Sequence, residues 1–237
     1  HDDRGQTFVR FVQQQHLDVP GQGAGDGQHL LFAPRQRHAF LFAAFAGLML
    51  LATDGSAQNA DGENAHPELS NSPEITGDDA EAIYQSLRLR MKQGYMLSKL
   101  PVAGQYQEWR RYNAVPYLSK SHGNRYLNNY ANRPEFDFAN PPDGIVYPAG
   151  TVLAKDAFSV TDHDDVYPAS LFIMEKLEAG ASPKTADWRY VAIFPDGSIA
   201  GDTIGDMPES VEYCHQCHTL VKDKDYLFGV PSEAAIQ

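Results

Sequence analysis

Residues 188–218 read WRYVAIFPDGSIAGDTIGDMPESVEYCHQCH and carry two different signals. Trp188 to Phe194 is rich in aromatic and branched residues and is followed by Pro195-Asp196-Gly197, the pattern of a strand closed by a turn. Cys214-His215-Gln216-Cys217-His218 is C-x-x-C-H, and Glu209 to Leu220 around it reads as a helix. A small all-helical domain would lack the first signal. Their succession points to an α+β domain with the C-x-x-C-H motif on a C-terminal helix.

The motif sets the chemistry. Two thiols three positions apart reach the two vinyl groups of one porphyrin, and the histidine directly after the second lies under the iron as an axial ligand. Cys214 and Cys217 are the chain's only 2 cysteines, so nothing competes for them. A structural zinc site wants a second ligand pair, and a thioredoxin-like redox pair belongs near a βαβ pattern; the sequence has neither. One haem c is expected, covalent through Cys214 and Cys217, with His218 on the iron. His215, inside the motif, is expected to be exposed.

Upstream, Arg125–Ala131 (RYLNNYA), Thr151–Lys155 and Ser170–Leu177 (SLFIMEKL) read as further short strands, separated by clusters such as Pro141-Pro142-Asp143-Gly144. Ahead of them, Ala80, Ile83, Tyr84, Leu87 and Met91 follow helical spacing behind Thr76 or Asp78 as a cap. Tyr106–Tyr117 is less regular. The expected architecture is a mainly antiparallel sheet packed with helices.

Haem c is attached outside the cytoplasm, which demands an export signal. Ala39–Ala52 (AFLFAAFAGLMLLA) is a continuous apolar run behind Arg35, Arg37 and His38, and Gly55-Ser56-Ala57 supplies small residues after it. This suits a secretory signal with cleavage after Ala57 and a periplasmic destination; an uncleaved anchor or a buried helix is the alternative. Residues 1–57 are therefore assigned to an upstream extension plus signal peptide, 58–75 to a polar flexible leader and 76–237 to the haem domain. Residues 1–57 carry four Arg and five Asp, which leaves −11 of the total −12 on the remainder. So acidic a surface disfavours nucleic acid or an anionic membrane and suits a soluble redox partner of basic character.

Several blocks in fixed order give the chain a family resemblance. They are Ser121-His122-Gly123-Asn124-Arg125-Tyr126 before Asn128-Asn129-Tyr130-Ala131-Asn132, then Gly150-Thr151-Val152-Leu153-Ala154-Lys155, then Leu171–Lys176, Asp187–Tyr190, Pro195-Asp196-Gly197, the C-x-x-C-H motif and Asp225-Tyr226-Leu227-Phe228. Over roughly residues 80–231 the chain resembles the cytochrome P-460 family, whose relatives include the cytochromes c′-beta. The resemblance implies a mono-haem protein, often a homodimer, with a five-coordinate iron, His218 proximal and an open distal pocket. It also implies a small nitrogen compound as ligand or substrate, through hydroxylamine oxidation or nitric oxide binding. The tail after Phe228, GVPSEAAIQ, departs from the aromatic, arginine-ending tail of the family.

Two residues carry the implied activity. Lys155 matches the lysine that P-460 enzymes bond to the porphyrin; it shares a strand face with Leu153, and an amine among apolar groups loses charge and gains nucleophilicity. The other reading is a strand-end lysine in water. Arg125 matches a distal arginine that hydrogen-bonds a bound ligand; the other reading is an ordinary ion pair. Phe158 and Phe172 are candidates for an apolar distal cap or for plain core, and His122 for a proton carrier or a turn histidine. Oxidation of hydroxylamine needs an acid–base group, for which Glu175 and Asp156 are candidates. The competing function is electron transfer by a six-coordinate iron, with Met174, Met207, Met91 or His163 as its sixth ligand.

Overall fold

The computed structural model describes residues 72–236. The expected signal peptide and most of the leader lie outside the described residues. Helix α1, Gly77–Met96, starts where Thr76 accepts the Asp79 amide at 3.2 Å, and Asp78 and Asp79 complement its positive end. Its buried residues Ala80, Ile83, Tyr84, Leu87, Met91 and Tyr95 recur at three- and four-residue intervals, so one stripe faces the sheet. A short α2, Pro101–Gln105, follows.

Seven antiparallel strands make the sheet: β1 Arg110–Arg111, β2 Tyr117–Ser119, β3 Arg125–Ala131, β4 Val152–Val160, β5 Val166–Lys176, β6 Trp188–Ile193 and β7 Ile199–Asp202. The order is β1-β3-β4-β5-β6-β7, with β2 also on β3. The four strands expected from sequence are present. β4 and β5 run longer than expected, because the acidic segment around Asp162–Asp165 is only their hairpin turn. A register shift between Asp156 and Phe158 accommodates Pro168, which sits opposite Phe158. β1, β2 and β7 are too short to show a period. The Pro195-Asp196-Gly197 turn joins β6 to β7; Gly197 has φ +83° and a side chain there would strike Leu97 and Ser98 after α1.

The sheet has two unlike faces. One packs on α1. The other is filled at one end by Tyr112, Phe138, Tyr147, Trp188 and Leu227, while its middle stays open as a cavity. Helix α3, Glu212–His218, closes over that face between two 3-10 turns, Pro208–Val211 and Thr219–Lys224. The expected helix from 209 to 220 is thus one α-helical segment in a longer winding stretch. The divergent tail crosses back: Val230 bonds Ala139 at 2.9 Å, and Ala235 bridges Asn113. Among the described residues no helix is long and apolar enough to span a membrane.

Candidate haem site

Strand alternation carries Leu153 and Lys155 of β4, Phe172 and Met174 of β5 and Tyr190 of β6 to the cavity. Register lines them up, with Lys155 opposite Phe172 and Met174 flanked by Leu153 and Tyr190. Cys214, Cys217 and His218 reach the same cavity from α3, and Leu227 and Phe228 from the segment after it. Its volume is about 420 Å³, within the range of small-molecule and cofactor sites.

The return of the chain after α3 orients His218. Asp225 and Tyr226 both have positive φ, 48° and 66°, an uncommon backbone for residues other than glycine. The buried Asp225 carboxylate holds that turn by accepting from Lys176 Nζ at 2.7 Å, Trp188 Nε1 at 3.3 Å and the Tyr147 amide at 2.9 Å. The turn aims the Tyr226 carbonyl at His218 Nδ1, 2.6 Å away. A carbonyl only accepts, so Nδ1 carries the hydrogen and Nε2 keeps its lone pair, the arrangement found in metal-ligating histidines. Burial, with Lys155 adding to it, pushes the imidazole down to about 4 and keeps it neutral.

The other site groups are tuned by the same apolar surroundings. Burial pushes the Lys155 amine down to about 8, opposed only by Cys217, so the neutral amine is accessible near physiological pH. It pushes the Cys214 thiol up to about 12. The Tyr190 hydroxyl, beside the His218 ring at 5.6 Å between centroids, is buried with no hydrogen-bond partner. An orphaned hydroxyl at the wall of an apolar cavity, two thiols and a neutral imidazole fit a haem c. Among the described residues no three His, Cys, Asp or Glu side chains group as metal ligands, so the thiols have no zinc-site companions.

A family model described as Cytochrome P460 matches residues 104–229, more than half of the chain and the whole of the sheet. The chain belongs to the cytochrome P460 family. It is therefore a haem c cytochrome with an α+β fold. No curated protein matches the chain.

The cytochrome's remaining candidates separate cleanly. Phe172 lines the cavity, whereas Phe158 is fully buried on the helix face, stacked on Tyr126 at 5.2 Å. Arg125 is not among the lining residues: its Nη1 donates to the His122 carbonyl at 3.0 Å and the Gly123 carbonyl at 3.4 Å. Asp156 points to the helix face, and Glu175 bonds Arg189 at 3.0 Å, so neither candidate carboxylate lines the cavity. His215 is not exposed as expected; it is half-buried, stacked on Tyr226 at 5.3 Å. Sequence reasoning missed Tyr117, Ser119 and Tyr213 in the lining. Each sits on an element too short to announce which way it faces.

Proposed function

We propose that the cavity holds one haem c bonded through Cys214 and Cys217, ligated by His218 and open on its opposite side to a small nitrogen compound such as hydroxylamine or nitric oxide. The observation that carries this reading is the convergence of both thiols, the His218 imidazole and the Lys155 amine on one apolar cavity. Haem supplies reversible electron transfer and a coordination position for such ligands. Lys155, on β4 and so two strands from the Tyr190 on which His218 packs, would offer its amine to a haem held in the cavity.

The six-coordinate alternative finds little support. Met174 pairs with Tyr190, the residue whose ring touches His218, so it stands beside the proximal imidazole and not across from it. Met91 is buried in α1 on the other face, while Met207 and His163 are exposed. Electrons from an oxidised ligand would leave to a soluble redox partner, and export to the periplasm accords with haem c attachment.

The test is the absorption spectrum of the reduced, haem-loaded protein before and after nitric oxide. A red-shifted, broadened Soret band marks a Lys155–porphyrin bond and favours hydroxylamine oxidation. An ordinary haem c spectrum that responds to the gas marks a gas-binding protein. No response means a closed sixth position and overturns the proposal in favour of electron transfer.

A further inference from the structure

Chemistry on N–O and N–H bonds moves protons as well as electrons, so an open haem site for nitrogen compounds needs a group that trades protons with solvent. The carboxylates do not serve, since Asp156 and Glu175 lie outside the cavity. The tyrosines do not either: burial holds Tyr117 up at about 12, and Tyr190 and Tyr213 well above their ordinary range, so all three keep their protons. Cys214, Cys217 and His218 are committed to the haem. Besides Lys155, the titratable side chain left in the lining is His122, whose ordinary range spans neutrality.

His122 sits in a tight constellation. It ends the 3-10 turn Lys120–His122 that follows β2, and Gly123 at φ 74° and Asn124 at φ 56° turn the chain back into β3. The two Arg125 hydrogen bonds to the His122 and Gly123 carbonyls clamp that turn, which gives the arginine a positioning role. The ring lies against Phe172, 5.4 Å between centroids. Its Nδ1 is 3.0 Å from Ser119 Oγ and 3.3 Å from Ser121 Oγ, and the two hydroxyls are 3.2 Å apart. Ser119 is buried and Ser121 exposed, yet both reach the same ring nitrogen and both border the cavity. The cluster therefore spans from cavity to solvent in two hydrogen bonds.

We propose that Ser119, His122 and Ser121 form a proton relay between the haem cavity and solvent, serving a ligand with an N–O or O–H group. This rests on the open-site reading above. In the outward direction the ligand gives one proton to Ser119 Oγ, the Ser119 hydroxyl proton passes to Nδ1, and the resulting imidazolium releases a proton through Ser121 to water. No electron moves in this step, and one proton enters for each that leaves. Phe172 of β5 lies against the ring, Arg125 of β3 bonds the His122 carbonyl, and the titratable side chains Lys155 of β4, Tyr117 of β2 and Tyr213 of α3 line the same cavity. Burial keeps Tyr117 and Tyr213 protonated, so neither competes for the proton.

Nitrite binding to the haem-loaded protein, followed by its absorption change between about pH 5 and pH 8, tests the relay without turnover. An anion taken up together with one proton on His122 binds up to about tenfold more tightly per unit fall in pH above the imidazole's own pKa. His122→Gln should flatten that dependence and leave affinity near pH 8 within about twofold of the wild type. Ser119→Ala should flatten it as well, and it remains the test if His122→Gln fails to load haem. An unchanged slope in either variant overturns the relay while leaving the open site standing. A wild type with no nitrite response at any pH overturns both readings. So does a low-spin spectrum that His122→Gln converts to high spin, because it would make His122 an iron ligand.

Discussion

Lys155 and Asp156 are neighbours on β4, and their side chains meet opposite fates. Lys155 enters the cavity, where no hydrogen bond satisfies its amine and burial drives it toward neutrality. Asp156 enters the helix face, fully buried, where its Oδ2 accepts from the Tyr84 and Tyr106 hydroxyls at 2.9 Å each and its Oδ1 from Asn128 at 3.0 Å. The Tyr130 hydroxyl closes on Tyr84 at 2.5 Å, and Arg111, over the Tyr84 ring, bonds Glu81 at 2.7 Å. The helix face thus gathers its carboxylate into a hydrogen-bonded network, while the cavity leaves the Lys155 amine and the Tyr190 hydroxyl without partners. The helix face is built for stability, the cavity face for chemistry.

Because the faces are divided in this way, they respond separately to mutation. Asp156→Ala should be the most damaging change: it strands two buried hydroxyls and an amide and opens a void, for a loss of about 3–5 kcal/mol in denaturant unfolding. The haem absorption of the surviving folded protein should not move. A spectral shift without loss of stability would break the comparison.

The pH response of stability isolates the same carboxyl. Burial pushes Asp156 up to about 6, against an unfolded value of about 3.9. The folded state therefore binds the proton more tightly. Asp156's contribution is fully present below about pH 4 and fades as pH rises through about 6, a change on the order of 3 kcal/mol. Asp156→Asn should lack this fall when unfolding is compared with the wild type across that window. A slope common to both proteins would place the titration elsewhere.

Lys155→Met should reverse the pattern. It removes a buried amine and fills similar volume, so unfolding should change by no more than about 1 kcal/mol while the haem absorption changes clearly. An unaltered spectrum would remove Lys155 from the chemistry. The smallest expected effect belongs to Lys92, whose ammonium meets the exposed Glu108 at 3.2 Å; Lys92→Ala should cost about 0–1 kcal/mol and touch neither face.

How far sequence carries the argument depends on local order. α1 was legible because its capping threonine and apolar spacing are local signals, and β3 because RYLNNYA is bounded by Gly and Pro turns. The C-x-x-C-H motif named the cofactor for the same reason. What strand alternation assigns within one strand, Lys155 with Leu153, also came through. The division between Phe158 and Phe172 did not, because β4 was read as ending at Lys155, and its continuation puts Phe158 on the Asp156 face while Phe172 pairs with Lys155. His122 was a candidate proton carrier in the sequence, but its partners Ser119 and Ser121 escaped because the tight turn after β2 is what brings their hydroxyls to its ring. Asp156 as a carboxylate for chemistry failed on parity: one residue past Lys155 is the other face.

The most direct test is to digest the haem-loaded protein and map by mass spectrometry which peptides carry haem. The cavity-face account predicts haem on the peptide spanning Cys214 to His218, with no modification on any peptide of the helix face. A disulfide between Cys214 and Cys217 in a protein that never takes up haem would contradict it.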